Sequence, residues 1–261
     1  MKRLRQAYKY FVHLLTARNT SGFGVHSPYM YEFIQSVLRV RHPFYAFEKI
    51  EAVRKQMLAD NSKIFVTDYG TGTDRKRTVS EIARRALKEP AMAQILFRIV
   101  HHHQHKNILE LGTSLGISSM YMASASVGCQ VVTLEGCPAI SALAQQNFDR
   151  LRLKHIKLIN CNIDKQLSNI LSTIGKLDFI FIDANHRYEP LMRYFETCLN
   201  HVDEKAIFVI DDIYWSAKME KAWKEIKEHE MVKATIDVYH MGIVFLNPIL
   251  HKKHYVVRTK S

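Results

Sequence analysis

The chain is poor in features that would place it outside the ordinary interior of a cell. It has four cysteines, Cys129, Cys137, Cys161 and Cys198, and no C-x-x-C spacing. That excludes a disulfide framework or a zinc ribbon and fits reduced thiols in a cytoplasmic protein. No run approaches 18 uncharged apolar residues, so no segment reads as a membrane-spanning helix. The basic start Met1-Lys2-Arg3-Leu4-Arg5 lacks the uninterrupted apolar stretch and small-residue cleavage site of a secretory signal. Low-complexity tracts are missing. So is the G-x-G-x-x-G spacing of a dinucleotide site.

Apolar residues, by contrast, are ample: 47% of 261, enough for one α/β domain with an appendage or two modest domains. The net charge is +12, from 37 Lys and Arg against 25 Asp and Glu. The excess gathers in Met1–Arg18, Arg75–Lys88 and His251–Lys260. Such a balance suits nucleic acid, an anionic membrane surface or acidic metabolites, and equally suits solvated faces. Leu4, Tyr8, Phe11, Val12 and Leu15 recur at helical spacing among Lys2, Arg3, Arg5, Lys9 and His13. This amphipathic basic helix is expected to set its apolar stripe on the core or on a second subunit, with a membrane-surface role for residues 1–18 left open.

Gly22–Pro28 reads as a turn before a helix over Tyr31–Val40. Further helices are expected over Glu48–Leu58, Val79–Leu87 and Ala91–Val100. Asp68-Tyr69-Gly70-Thr71-Gly72-Thr73-Asp74, after the brief run Ile64-Phe65-Val66, reads as a surface loop. His101, His102, His103 and His105 point in different directions on a helix end. They predict no metal site, and a helix C-terminus favours their charged forms.

From residue 107 strand and helix patterns alternate. Strands are expected at Asn107–Leu111, Gln130–Leu134, Ile156–Asn160, Leu177–Ile182 and Ala206–Ile210. The helices between and after them are Ile117–Ser126, Pro138–Leu151, Asp164–Ile174, Glu189–His201 and Ala217–Glu230. A final pair, Val232–Tyr239 and Gly242–Leu246, looks like a closing hairpin. The alternation predicts an α/β fold with a doubly wound, mostly parallel sheet. Residues 1–100 then form an N-terminal helical cap, 101–250 the sheet domain and 251–261 a basic tail.

The densest signal is Asn107-Ile108-Leu109-Glu110-Leu111-Gly112-Thr113-Ser114-Leu115-Gly116-Ile117-Ser118-Ser119. An apolar strand ends at an acid, and a glycine-bearing turn opens an Ala- and Ser-rich helix. In open α/β sheets this is where a nucleotide-like ligand is held. Gly112 permits close backbone approach and Gly116 permits close helix packing. With Glu110 ahead of it, G-x-x-x-G favours a small cationic cofactor over a pyrophosphate.

E-L-G-T-S-x-G-x-S, as Glu110–Ser118, resembles the first motif of class I S-adenosylmethionine-dependent methyltransferases, and most closely their metal-dependent small-molecule O-methyltransferases. The resemblance runs from about Lys106 to Leu246. It implies a seven-stranded Rossmann-like sheet with the last strand antiparallel, and S-adenosyl-L-methionine as cofactor. Gly112 and the backbone of Thr113 and Ser114 would cradle the methionine moiety, with Glu110 acting through water or loop amides. Glu135, after the second strand, would accept the ribose hydroxyls; otherwise it is a surface acid before the Pro138 helix. Cys161-Asn162 stands where the family usually has Gly-Asp, and the Asn162 carbonyl oxygen can accept the same adenine hydrogen bond.

Two more strands end in acids. Leu177–Ile182 stops at Asp183, within Asp183-Ala184-Asn185-His186-Arg187-Tyr188, and Ala206–Ile210 stops at Asp211-Asp212. If these ends are neighbours, three carboxylates share a small volume, and a divalent cation such as Mg2+ relieves their repulsion. The arrangement looks like the metal site of catechol-type and sugar-type O-methyltransferases, where the ion holds a substrate hydroxyl and lowers its pKa. D-x-x-H-x-Y, Asp183, His186 and Tyr188, is closer to the sugar and natural-product branch, with Tyr188 taken at the cofactor. The catechol branch has Lys where His186 stands, which makes His186 the candidate base beside Asp183. On a plainer reading His186 and Tyr188 cap the next helix, Asp211-Asp212 cap the one after, and Tyr214 and Trp215 are core instead of stacking on a ligand.

The expected activity is therefore methyl transfer to a hydroxylated small molecule by a cytoplasmic enzyme that can pair as a homodimer. Nucleic acid is a weaker partner: the Asn-Pro-Pro-Tyr signature of amino-base methylation is missing, and no RNA-binding module is recognisable. The same residues would also suit a lipid or quinone acceptor at a membrane, or a non-catalytic protein that binds the cofactor.

Overall fold

The computed structural model describes residues 2–67 and 75–259; the Asp68–Asp74 loop expected above lies outside them. In chain order the elements begin with helix α1 (Lys2–Thr16) and α2 (Pro28–Phe33), which continues as a π-turn over Ile34–Leu38. Next come α3 (Tyr45–Ala59), β1 (Lys63–Val66), β2 (Arg75–Thr78), α4 (Val79–Ala86) and α5 (Pro90–His103). Strand and helix then alternate: β3 (Asn107–Leu111), α6 (Ile117–Ala123), β4 (Gln130–Glu135), α7 (Pro138–Arg150), β5 (Ile156–Asn160) and α8 (Ile163–Leu171). The series continues with β6 (Leu177–Ile182), α9 (Tyr188–Leu199), β7 (Val202–Asp211) and α10 (Ala217–Glu228). It closes with β8 (Ala234–Asp237), β9 (Met241–Phe245) and β10 (Lys253–Val256).

Local chemistry explains most of the boundaries. Pro28, Pro90 and Pro138 each occupy the first turn of a helix, where a missing N–H costs nothing. Thr78 and Glu81 form a reciprocal capping box on α4. Ser216 caps α10 by accepting from the Met219 amide at 3.1 Å. Gln104, at φ +55°, stops α5 in the left-handed region.

Two compact units make up the chain: Met1–Val40 with Ile174–Ser261, and Arg41–Thr173. The divisions thus fall after Val40 and Thr173, inside the expected cap and sheet segments. In the second unit β3, β4 and β5 run parallel in that order. Leu109, Leu111, Val131 and Leu134 are buried there beside Met120 and Phe148. The brief run Ile64–Val66 belongs to a strand: β1 pairs antiparallel with β2, Lys63 opposite Thr78 and Val66 opposite Arg75.

In the first unit the order is β10-β8-β9-β7-β6. β6 and β7 are parallel, and β9 lies antiparallel between β7 and β8. Phe179–Ile182 and Ala206–Ile210 are buried throughout, the near-continuous apolar run of a strand covered on both faces. Gly242 of β9 makes room for Trp223 of α10: a Cβ there would meet the indole at 2.6 Å.

The segment expected to be a basic tail is a strand at the end of this series. β10 pairs parallel with β8. Asn19 grips its other side, accepting from the Val256 amide at 3.1 Å and donating its own amide to the Val256 carbonyl at 3.2 Å. Tyr255 and Val257 bury their side chains while Lys252 and Lys253 stay in water.

Helix α1 inverts the expectation for its apolar stripe. Leu4, Phe11 and Leu15 are 76%, 59% and 64% exposed, and Tyr8 is exposed as well. The polar face packs inward instead. Arg5 and Lys9 both reach Glu220, at 2.6 and 2.5 Å, and Arg5 also donates to the Tyr214 carbonyl at 3.3 Å. His13 is buried with Nδ1 3.3 Å from Asp237. Tyr239 donates to the Gln6 carbonyl at 2.8 Å and takes the edge of Tyr10 on its ring. Two charge-assisted contacts to Glu220, with the buried His13–Asp237 contact, outweigh the burial of one narrow stripe.

His103, the last residue of α5, and His105 just beyond it also depart from expectation. Burial pushes His103 down to about 4 and His105 to about 3, so both are neutral at pH 7 and the helix C-terminus does not charge them.

Candidate active site

Ligands of open α/β sheets sit beyond the carboxyl ends of parallel strands. In the second unit that region is built around Glu110, the penultimate residue of β3. Glu110 is fully buried, and its carboxylate accepts from the hydroxyls of Ser118, Ser119 and Thr133, the last at 2.6 Å. Burial dominates and raises its pKa from 4.5 to about 7 despite these three donors. Thr113, also buried, shares a 2.6 Å hydrogen bond with Thr133. Glu110 therefore ties the turn to the first residues of α6 and to β4 through side-chain hydroxyls, where water or loop amides were expected. Ser118, Ser119 and Thr133 are the site residues that sequence reading passed over. Their signal was a hydroxyl pair opening an otherwise apolar helix opposite a strand-end acid.

The turn carries the two left-handed glycines it needs: Gly112 at φ +99° and Gly116 at φ +87°. The Gly112 and Thr113 amides both donate to the Leu134 carbonyl, at 3.0 and 3.2 Å. A Cβ at Gly116 would strike the Phe148 ring at 2.5 Å, so close helix packing is what fixes that residue. Between them Ser114 takes φ +49°. Its amide donates to Glu135 at 2.9 Å, and the Cys137 amide donates to the other carboxylate oxygen at 2.9 Å. Ser114 Oγ is buried with no hydrogen-bond partner among the described residues.

Glu135 is thus held by two backbone amides at the end of β4, with lone pairs left for further donors. Burial raises its pKa. Asn162 ends the loop after β5 as the N-cap of α8, and its side chain makes no capping hydrogen bond. A held carboxylate, an orphaned buried hydroxyl, an uncommitted amide and a glycine turn fit a polar nucleoside with an amino-acid tail.

In the first unit, Asp183 follows β6 and Asp211 ends β7, two parallel neighbours. The expected meeting of these acids is present, with one change of membership. Asp183, His186 and Asp211 each offer a ligand atom, and those atoms lie within 4.8 Å of one another. Asp211 is buried and the other two are half-buried. His186 Nε2 approaches Asp183 Oδ1 at 3.5 Å. Asn185, at φ +48°, turns the chain back between them, and its carbonyl accepts the Arg187 amide.

Asp212 is outside that group. It sits at φ +52°, donates its amide to the His240 carbonyl at 2.7 Å, and its own carbonyl accepts from the Trp215 amide at 2.9 Å. Helix capping does not describe these residues: Arg187 is the N-cap of α9, and Ser216 that of α10.

The remaining aromatics divide. Trp215 is exposed with its ring 6.4 Å from that of His186. Tyr214 belongs to the scaffold, its hydroxyl 2.5 Å from Asp237 and its ring stacked on Tyr239. The Tyr188 hydroxyl is committed to Glu225 of α10, and Lys221 lies 4.7 Å over its ring. That hydrogen bond raises the phenol pKa. Tyr188, the first residue of α9, thus ties that helix to α10.

Residues 109–213 match the family model described as a methyltransferase domain. A catechol O-methyltransferase from Niastella koreensis is 33% identical over 133 residues, half of this chain and 59% of that protein. The chain therefore matches somewhat under two thirds of that relative's length. Among solved structures, an O-methyltransferase from Bacillus cereus in complex with SAH superposes with a TM-score of 0.57 and 21% identity, over 81% of this chain and 94% of that one. The O-methyltransferase TomG from Streptomyces achromogenes, in complex with SAM, gives 0.53 and 17% over 82% and 93%. At these identities the likeness establishes the fold.

Proposed function

We infer that this chain, whose residues 109–213 match a methyltransferase-domain model and whose fold is similar to that of an O-methyltransferase, transfers the methyl group of S-adenosylmethionine to a hydroxyl of a small molecule. The observation that carries the reading is the Glu135 carboxylate, fixed by the Ser114 and Cys137 amides beside the unpartnered Ser114 hydroxyl. Glu135 would take the ribose hydroxyls, Asn162 the adenine amino group, and Gly112, Thr113 and Ser114 the methionine end. Glu110 and Gly116 act as positioning residues that hold the turn and α6.

S-adenosylmethionine supplies an electrophilic methyl, and a divalent cation supplies a charge that lowers the pKa of an acceptor hydroxyl. Asp183 and Asp211 are the carboxylates that would hold that cation. His186, where its ring holds no ion, and Asp183 are the candidate bases for the proton leaving the acceptor. Residues 1–100 are assigned the acceptor contacts. The outward stripe of α1, within residues 1–18, is assigned contact with a second copy or a membrane surface. The free thiols support a cytoplasmic setting, and no described helix is long and apolar enough to cross a membrane.

Calorimetry with S-adenosylhomocysteine tests the site. The wild type binds, and Gly112→Val, which places a branched side chain at φ +99°, reduces affinity at least about tenfold. Unchanged affinity in that variant removes the site assignment, and no heat with the wild type removes the proposed function.

A further inference from the structure

The geometry points to His186 as a metal ligand in its own right, making the cation site a mixed Asp183–His186–Asp211 set that selects a first-row transition ion over Mg2+. The inference rests on the reading above only in taking this strand-end cluster as the cation site. The three donor atoms lie within 4.8 Å of one another. Donors sharing one ion at about 2.0–2.2 Å stand roughly 3–4 Å apart, so modest rotations close the set.

Two turns decide its membership. The left-handed Asn185 folds the chain so that His186 Nε2 faces Asp183 at 3.5 Å. The left-handed Asp212, whose amide is tied to the His240 carbonyl, is not part of the set. Sequence order suggested three carboxylates; the backbone provides two carboxylates and an imidazole.

The donor change alters the chemistry. Mg2+ takes oxygen ligands and demands octahedral geometry, and an imidazole nitrogen serves it poorly. Mn2+, Fe2+, Co2+ and Zn2+ accept imidazole with carboxylate. An imidazole whose Nε2 lone pair binds an ion is not available to remove a proton. His186 would then orient the ion, whose charge would lower the pKa of the acceptor hydroxyl, and the proton would pass to solvent.

Mn2+ titration followed by electron paramagnetic resonance, in competition with Mg2+, tests this without turnover. The wild type is expected to bind Mn2+ at least about tenfold more tightly than Mg2+ and to show nitrogen-14 coupling in the pulsed spectrum. His186→Asn, folded as judged by its thermal melt, loses the coupling and most of the preference. Asp212→Asn keeps both. Coupling that is missing from the wild type or survives in His186→Asn overturns the inference, as does Asp212→Asn weakening Mn2+ as much as His186→Asn. If the wild type binds neither ion, the inference and the metal limb of the proposed function both fall. Binding of S-adenosylhomocysteine in the same sample shows whether the methyltransferase reading still stands.

Discussion

Replacing Glu110 with glutamine isolates one buried charge and gives a stability change whose sign reverses common intuition. The carboxylate is fully buried, and its pKa rises from 4.5 to about 7 in the folded chain. The folded state therefore binds the proton more tightly than the unfolded one. This contribution to stability is complete below pH 4.5 and is lost as pH rises through 7. The interval, at about 1.36 kcal/mol per pH unit, amounts to roughly 3 kcal/mol. Glutamine keeps the shape and hydrogen-bonding capacity toward Ser118, Ser119 and Thr133 without titrating.

Glu110→Gln should accordingly gain on the wild type by up to about 3 kcal/mol between pH 4.5 and 8, most steeply around pH 5–7. Urea unfolding of both proteins at pH 5, 6, 7 and 8 measures the difference, in which every other titrating group cancels. A difference that stays flat across this range, or falls with rising pH, refutes the assignment of a desolvated carboxylate. The native acid is explained by its three hydroxyl donors, which tie α6 and β4 to the end of β3.

Two further outcomes concern the frame. Gly242→Ala drives a methyl into the Trp223 indole, 2.6 Å from the Cβ position, and should cost about 1–3 kcal/mol by overpacking, read from urea midpoints. Asp237→Asn removes the charge facing His13 and one of the two carboxylate oxygens, which accept separately from the Tyr214 hydroxyl and the Tyr239 amide. It should loosen α1 at a cost of about 1.5–3 kcal/mol. Faster amide exchange in residues 6–16, with β3–β5 unchanged, is the expected signature.

The sheet was legible because its strands are dense β-branched and aromatic runs. Leu177–Ile182 and Ile156–Asn160 begin and end where the pattern says. The glycine turn after β3 was legible for a different reason: few residue types tolerate φ +99° and +87°, and both glycines are in place. What escaped was set by partners far along the chain. The periodicity of α1 shows a stripe but not which side faces in. That choice lies with Glu220 and Asp237, more than two hundred residues away. β10 is four residues of mixed polarity, and its pairing depends on β8 and on Asn19. At the candidate site the acidic strand ends were visible, but the left-handed turns at Asn185 and Asp212 were not. Those turns bring His186, in place of Asp212, into the group with Asp183 and Asp211.

The inverted packing of α1 changes what its charge is good for. With Arg5 and Lys9 both turned onto the single Glu220 carboxylate, those two cations are engaged with the fold and less available to a phosphate. Raising ionic strength would weaken the helix's hold on its own body, while leaving its greasy outer ridge as adhesive as before.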